Sequence, residues 1–372
     1  MNGVLTPRDE GELAALVREA RGPLALGGGF TRGLTPEGTP VSTAGLSGIV
    51  LHEPGALTLV ARAGTPVAEV ERVLAGAGQR LAFEPMDLRP LLGTEGEPTL
   101  GGVIATNGSG PRRVQAGAAR DVVLGLRFVD GTGTVVSNGG RVMKNVTGLD
   151  LARLLAGSHG TLGVITEVAL KVLPAPEATL TLAFGGHDPA KAVACLSAAL
   201  GSPFEVAGAA HDAEAGVTRL RLEGFAQAVA VRAERLAKLL KAWGAAEVLE
   251  GPGPWAAIRD VTDFAGRAGD VWRLSVRPSA MGQALALAGG AQRIDWGGGR
   301  AWVLVPEGTD LRGRLGAFGA RAVLVRAAPE TRAALGTFPP ETPAVAMLSH
   351  RLRQRFDPRG LFNPGLMEAR AA

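Results

Sequence analysis

The spacing of apolar and polar positions changes character along the chain. Residues 9–20, DEGELAALVREA, place apolar side chains at 13, 16, 17 and 20 behind an acidic first turn, which predicts an amphipathic helix. PLALGG then reads as a short buried strand. Further strands are predicted in LSGIVL (46–51) and LTLVARAG (57–64), with a helix over 66–78 opened by Pro66 and closed by glycine. After a glycine- and proline-rich stretch from Phe83 to Gly110, VVLGLRFVDGTGTVV predicts a hairpin turning at Asp130-Gly131 and Gly133. LARLLAGSHGTLGVITEVALKVLP predicts a short helix, a glycine loop and a strand, and Pro174 and Pro176 mark a linker.

Beyond the linker the order of elements repeats. TLTLAF, DPAKAVACLSAAL, FEVAGAA, VTRLRLEG, FAQAVAVRAERLAKLLKAWG and AEVLE read as β-α-β-β-α-β. DVWRLSVRP through ARAVLVRAA reads the same way again, so a duplicated split βαβ unit is expected to form one antiparallel cap over 177–327. From Ala344 the pattern predicts a helix to Phe356 and then an irregular turn, DPRGLFNPG. The expected class is α+β, with boundaries at 1–174, 177–340 and 344–372.

Composition narrows this picture. A chain of 372 residues with 46% hydrophobic and 20% charged residues suits a globular protein of two or three domains. No apolar run approaches the roughly 18 residues of a membrane span, and MNGVLTPRDEGELAALV lacks the basic-then-apolar order of a leader. The net charge of +4 comes from arginine, which far outnumbers lysine among well-mixed acids. RLRQR at 351–355 is the densest basic cluster; at helical spacing it reads as a solvated face or as a docking surface for an acidic partner. The absence of tyrosine and of basic-aromatic interleaving argues against nucleic acid. Cys195 is the only cysteine, which excludes internal disulfides and cysteine-ligated iron-sulfur clusters and points to a reducing, cytoplasmic compartment. The five histidines are dispersed with no ligand spacing, so no metal site is expected.

Candidate chemistry lies in the glycines. Glycine is 54 of 372 residues, so a triplet arises about once by composition alone. The chain has two, at 27–29 and 297–299. The first, in LALGGGFTRG, is followed by LTPEGTPVST, whose prolines forbid the helix that a Rossmann site places after its glycines. No Gly-Lys-Ser/Thr follows, which excludes a Walker loop. The stretch can still be either a plain turn or a nest of backbone N–H groups for an anion, with Thr31 as a further donor. Two more glycine-rich stretches, EPTLGGVIATNGSG (97–110) and SHGTLGVITEVAL (158–170), each read as a loop beside a strand. Three such loops suit one long ligand with a pyrophosphate and flat rings, and FAD has those parts. The second triplet, beside Trp296, reads as a hairpin turn.

These stretches, with AGTPVAEVERVL, RDVVLGLRFVDGTG, KNVTGLDLARLLAGSHGTLGVIT and the tail FDPRGLFNPGLM, resemble in their order the flavoproteins of the vanillyl-alcohol oxidase type, which carry a PCMH-type FAD-binding domain. The resemblance implies an α+β fold: a two-subdomain FAD-binding domain (1–174), an antiparallel cap and a C-terminal segment returning to the FAD domain. It further implies that Gly27, Gly28, Gly29, Phe30 and Thr31 hold the FAD pyrophosphate, with Arg32 and Gly33 in the same loop. Thr99, Gly101, Gly102, Thr106, Asn107, Gly108 and Ser109 would lie along the flavin and its diphosphate. Gly160 and the backbone of Gly163, Val164 and Ile165 would meet the adenosine half, Asn363 would return near the isoalloxazine, and Pro85 and Met86 would line the flavin face. Some relatives bind FAD covalently through His, Cys or Tyr. Phe30 stands where some carry His, there is no Tyr, and Cys195 lies in the cap, so noncovalent FAD is expected.

The cap departs from the hydroxyacid dehydrogenases of this type, which carry an HxGDGN-like histidine cluster. Here His187 is followed by DPA and His211 by DAE, and both histidines are expected in surface or turn roles. His350 is a weak candidate for a base. The function implied is the FAD-binding subunit of a 2-hydroxyacid dehydrogenase complex, cytoplasmic or held at the inner face of a membrane through its partners. Those partners would be a larger flavoprotein subunit that binds the small hydroxyacid and an iron-sulfur subunit. Two alternatives stay open: a self-sufficient FAD dehydrogenase, and an assembly subunit with structural FAD.

Overall fold

The computed structural model describes residues 3–141 and 148–367; the KNVT that opens the quoted KNVTGLDLARLLAGSHGTLGVIT, 144–147, lies outside them. The chain divides into two compact units, one of Met1–Ser109, Gly117–Ala175 and Pro340–Ala372, the other of Gly110–Ala116 and Pro176–Pro339.

The first unit contains strands β1 (Leu24–Gly27), β2 (Thr39–Ser42), β3 (Ile49–Glu53), β4 (Thr58–Arg62), β5 (Gln79–Leu81), β6 (Val123–Val129), β7 (Val135–Gly139) and β8 (Val164–Pro174). β1 and β2 pair in parallel. The others form an antiparallel sheet in the order β3-β4-β8-β6-β7, with β5 on the far end of β8. Helix Glu10–Glu19 starts where Asp9 caps Glu12 N and buries Leu13, Ala14 and Val17. It shares a small core with Leu24, Val41, Leu361 and Phe362, so the tail is built into the N-terminal layer. A second core under the sheet includes Leu59, Val70, Leu100, Ile104, Phe128 and Val168.

One predicted loop is a helix. Leu100–Thr106, in the second glycine stretch, is helical, with Thr99 Oγ1 accepting from Gly102 N at 3.3 Å and Asn107 closing it at φ 48°. Glycine disfavours helix by about 1 kcal/mol per residue, but burial of Leu100, Val103 and Ile104 outweighs it. Gly101 is there for packing, because a Cβ on it would stand 2.6 Å from Ala63 Cβ.

The second unit is one eight-stranded antiparallel sheet. Its strands are β9 (Ala178–Phe184), β10 (Gly208–Asp212), β11 (Val217–Gly224), β12 (Glu247–Glu250), β13 (Asp270–Ser275), β14 (Ala291–Asp295), β15 (Arg300–Val305) and β16 (Arg321–Arg326). The order β12-β9-β11-β10-β14-β15-β13-β16 runs 4-1-3-2 in the first repeat and 2-3-1-4 in the second. The duplicated split βαβ unit therefore meets itself at β10 and β14, paired through His211 with Ile294 and Asp212 with Arg293. Helices Pro189–Leu200, Ala226–Leu239 and Pro278–Ala288 contribute to its core, which holds Cys195, Leu220, Trp272 and Val303. The second triplet forms the turn between β14 and β15 as expected, with Gly297 at φ 63° and Gly298 at φ 99°.

Candidate functional site

A cleft of the first unit opens at the end of β1. Gly27, Gly28, Gly29, Phe30, Thr31 and Arg32 line one wall, Thr99, Gly101, Gly102 and Thr106 a second, and Gly160, Gly163, Val164, Ile165 and Asn363 a third. Residues from four distant parts of the sequence thus meet at one place.

Crowding explains the glycines. A Cβ on Gly28 would fall on Thr99 Oγ1 and one on Gly29 on the Glu97 carbonyl oxygen, while one on Gly27 would lie 2.5 Å from the Phe30 ring. These residues bring bare backbone against the second wall. Ser42 Oγ donates to Gly28 O at 2.6 Å, and Thr94 Oγ1 donates to Thr31 O at 3.1 Å. The carbonyls are thereby held from outside. Among the described residues, no protein oxygen accepts from the amides of Gly28, Gly29 or Phe30. Buried or half-buried amides seek partners, and consecutive ones form an anion-binding concavity. The arrangement fits a pyrophosphate.

Strain gathers here as well. Phe30, His159 and Asn363, all lining the cleft, have positive φ of 53°, 53° and 45°, a conformation that side chains rarely adopt outside functional or turn positions. Asn363 is 2% exposed. Its Oδ1 accepts from Leu26 N at 2.6 Å and its Nδ2 donates to His159 O at 2.9 Å, so one side chain ties β1 to the glycine loop of 158–163. Its own N–H donates to Leu24 O at 3.0 Å. The tail reaches the cleft as a clamp.

Several expected residues stand elsewhere. Gly33 is not in the lining. Asn107, Gly108 and Ser109 follow the helix but turn to structural work: Asn107 Oδ1 accepts from Arg120 N at 3.1 Å and Ser109 Oγ from Ala119 N at 3.0 Å. Pro85 and Met86 are buried off the cleft. The neighbouring Asp87 pairs with Arg89 at 2.8 Å; burial opposes its charge, but the Arg89 bonds and the Arg32 charge hold its carboxyl below the usual range. His350 is exposed on helix Pro343–Phe356 and lines no part of the cleft. Sequence reasoning missed Thr43, Pro98, Val103, His159 and Leu366, which do line it. Pro98, Val103 and His159 lay within quoted glycine stretches and Leu366 within the quoted tail; Thr43 carries no local signal.

The cap histidines are buried, not in surface or turn roles. His187 Nε2 lies 2.7 Å from the Trp243 carbonyl, which can only accept, so that nitrogen carries the proton. His187 Nδ1 then accepts from Thr218 Oγ1 at 2.9 Å, and Thr218 Oγ1 accepts in turn from His211 Nδ1 at 3.0 Å. The Thr218 hydroxyl joins the two rings inside the fold. Burial, with the neighbouring His187, pushes the His211 pKa down to about 4. Cys195 is buried, and burial pushes its thiol up to about 11, as befits an inert structural residue.

A family model described as FAD binding domain matches residues 1–139. Cleft and matched domain together are those of an FAD-binding protein. Glycolate oxidase subunit GlcE of Escherichia coli (strain K12) is 36% identical over 324 residues, covering 87% of this chain and 85% of that protein. Glycolate oxidase subunit GlcD of Bacillus subtilis (strain 168) is 45% identical over 84 residues, 23% of this chain and 18% of that protein. A solved alkyldihydroxyacetonephosphate synthase superposes with a TM-score of 0.71 at 17% identity, over 98% of this chain and 77% of that one. The chain belongs to the family of FAD-binding flavoproteins that contains GlcE, and FAD is its cofactor.

Proposed function

We propose that this chain is the FAD-carrying subunit of a 2-hydroxyacid dehydrogenase complex of the glycolate oxidase kind. It works in the cytoplasm beside a larger flavoprotein subunit that oxidises the hydroxyacid and an iron-sulfur subunit that receives electrons. The observation that carries this reading is the extent of likeness to GlcE, which takes in 87% of the chain and hence much of the cap, whereas the likeness to GlcD spans 84 residues. The cap supports it. Oxidising a hydroxyl needs a base, and both cap histidines are committed to the His187–Thr218–His211 chain inside the fold.

In this reading the amides of Gly28, Gly29 and Phe30 and the Thr31 hydroxyl hold the FAD pyrophosphate. Thr99, Gly101, Gly102 and Thr106 form the wall along the diphosphate and flavin, and Gly160 with Gly163, Val164 and Ile165 receives the adenosine half through backbone. Asn363 positions two of these walls. Bound FAD supplies a carrier that takes electrons in pairs and releases them singly. With Phe30 in the loop and Cys195 buried elsewhere, it is held without a covalent bond.

Anaerobic mixing tests the assignment. The purified chain loaded with FAD should keep its oxidised spectrum with glycolate alone and lose it when the larger flavoprotein subunit is added. Stoichiometric reduction by glycolate in the isolated chain contradicts the reading and points to a self-sufficient dehydrogenase.

A further inference from the structure

Helix Pro343–Phe356, which carries the RLRQR cluster, has no buried residue along its 14 positions. Ala346, Ser349, Arg353 and Phe356, at i, i+3, i+7 and i+10, are its half-buried stripe; Phe356 packs on Phe128, and Arg353 donates to Met367 O at 2.7 Å. The next stripe round the helix is apolar and exposed: Val345 (47%), Leu348 (56%) and Leu352 (40%), with Met347 (50%) nearby. Among the described residues, no other eight-residue stretch holds as many exposed large apolar side chains. Arg351 and Arg355, both exposed, flank the stripe, and the helix contains no acidic residue.

A helix takes most of its stability from packing an apolar face, and clustered exposed apolar side chains mark interaction surfaces. We infer that Val345, Leu348 and Leu352, with Arg351 and Arg355, form the docking face for a partner protein that offers an apolar groove with an acidic rim. This inference rests on the reading of the chain as a subunit. A second copy of the chain fits poorly, because two such faces packed on each other bring arginines against arginines. A lipid surface also fits poorly: three residues span a narrow arc, and interfacial helices present a broad apolar face with aromatic anchors. Helix-in-groove recognition needs only anchors at i, i+3 and i+7, which is the spacing here.

The test uses the full FAD-loaded chain and the larger flavoprotein subunit from the same organism, with the dissociation constant measured by calorimetry. The double substitution Leu348→Asp, Leu352→Asp should raise it on the order of 30-fold or more, the size of a hot-spot loss. Arg351→Glu with Arg355→Glu should raise it about tenfold at low salt and remove most of its salt dependence. Both variants alter exposed side chains and should keep wild-type flavin content and melting temperature. If the wild-type subunits associate and both variants bind as well as wild type, the docking face is overturned while the subunit reading stands. If the wild-type subunits do not associate, both fail. Loss of chain dimerisation, or of binding to phosphatidylglycerol vesicles, with the heterocomplex unaffected, also overturns the proposal in favour of those occupants.

Discussion

The two glycine triplets have the same composition and do opposite things. At 27–29 none of the glycines has a positive φ; they are required because backbone from the second wall, or the side chains of Thr99 and Phe30, occupies the place of a Cβ. At 297–299 two of the three have positive φ, and the run makes a tight turn between paired strands β14 and β15. The first brings unbonded amides to a cleft, the second lets a hairpin close. Glycine serves close approach in one place and backbone conformation in the other, and only the former leaves anything for a ligand to bind.

Substitutions should separate these roles. Asn363→Ala removes the clamp on the first triplet's strand and leaves the Leu26 amide without its acceptor, so a loss of about 4 kcal/mol in folding free energy is expected together with loss of FAD. Denaturant melts with flavin absorbance read both. Gly29→Ala forces backbone to move at Glu97, and FAD affinity should fall by about 3 kcal/mol, roughly 100-fold, while the cap melts as in wild type. Ultrafiltration of the loaded protein measures it; full retention of FAD refutes the anion nest.

Acid should act on the other unit. His211 has its folded pKa depressed from 6.5 to about 4, so the unfolded chain binds the proton first as pH falls. Its contribution is fully present above pH 6.5 and is lost progressively down to about pH 4, amounting to roughly 3 kcal/mol. All five tryptophans lie in the cap unit, at 243, 255, 272, 296 and 302, so their fluorescence follows its denaturant midpoint across that window. His211→Gln should flatten the pH dependence. The smallest effect is expected at Gly297→Ala, where a φ of 63° and the Leu200 side chain cost about 2 kcal/mol of cap stability and leave flavin content unchanged. Loss of FAD in that variant would erase the distinction between the triplets.

Much of this organisation could be read from the residues. The period change after Pro174 and the repeated β-α-β-β-α-β order were sufficient for the cap, and glycine loops beside strands located most of the cleft wall. What escaped depends on distant partners. Leu100–Thr106 has the composition of a loop and folds as a helix because its apolar side is buried and Ala63 demands a glycine opposite it. His187 and His211 sit in turn-like sequence, yet their burial is set by Thr218 and Trp243, up to 56 residues away. Asn363 was expected back at the FAD domain, but its bond to Leu26, across 337 residues, has no signal in its own neighbourhood.

If the first triplet belongs to a cleft that holds FAD without a covalent bond, acid should release the flavin intact. The visible spectrum of the purified chain, taken before and after acid precipitation, tests it most directly. Flavin absorbance in the native protein that moves entirely to the supernatant is the expected result. A colourless protein after expression with ample FAD, or flavin that stays in the pellet, would contradict the account.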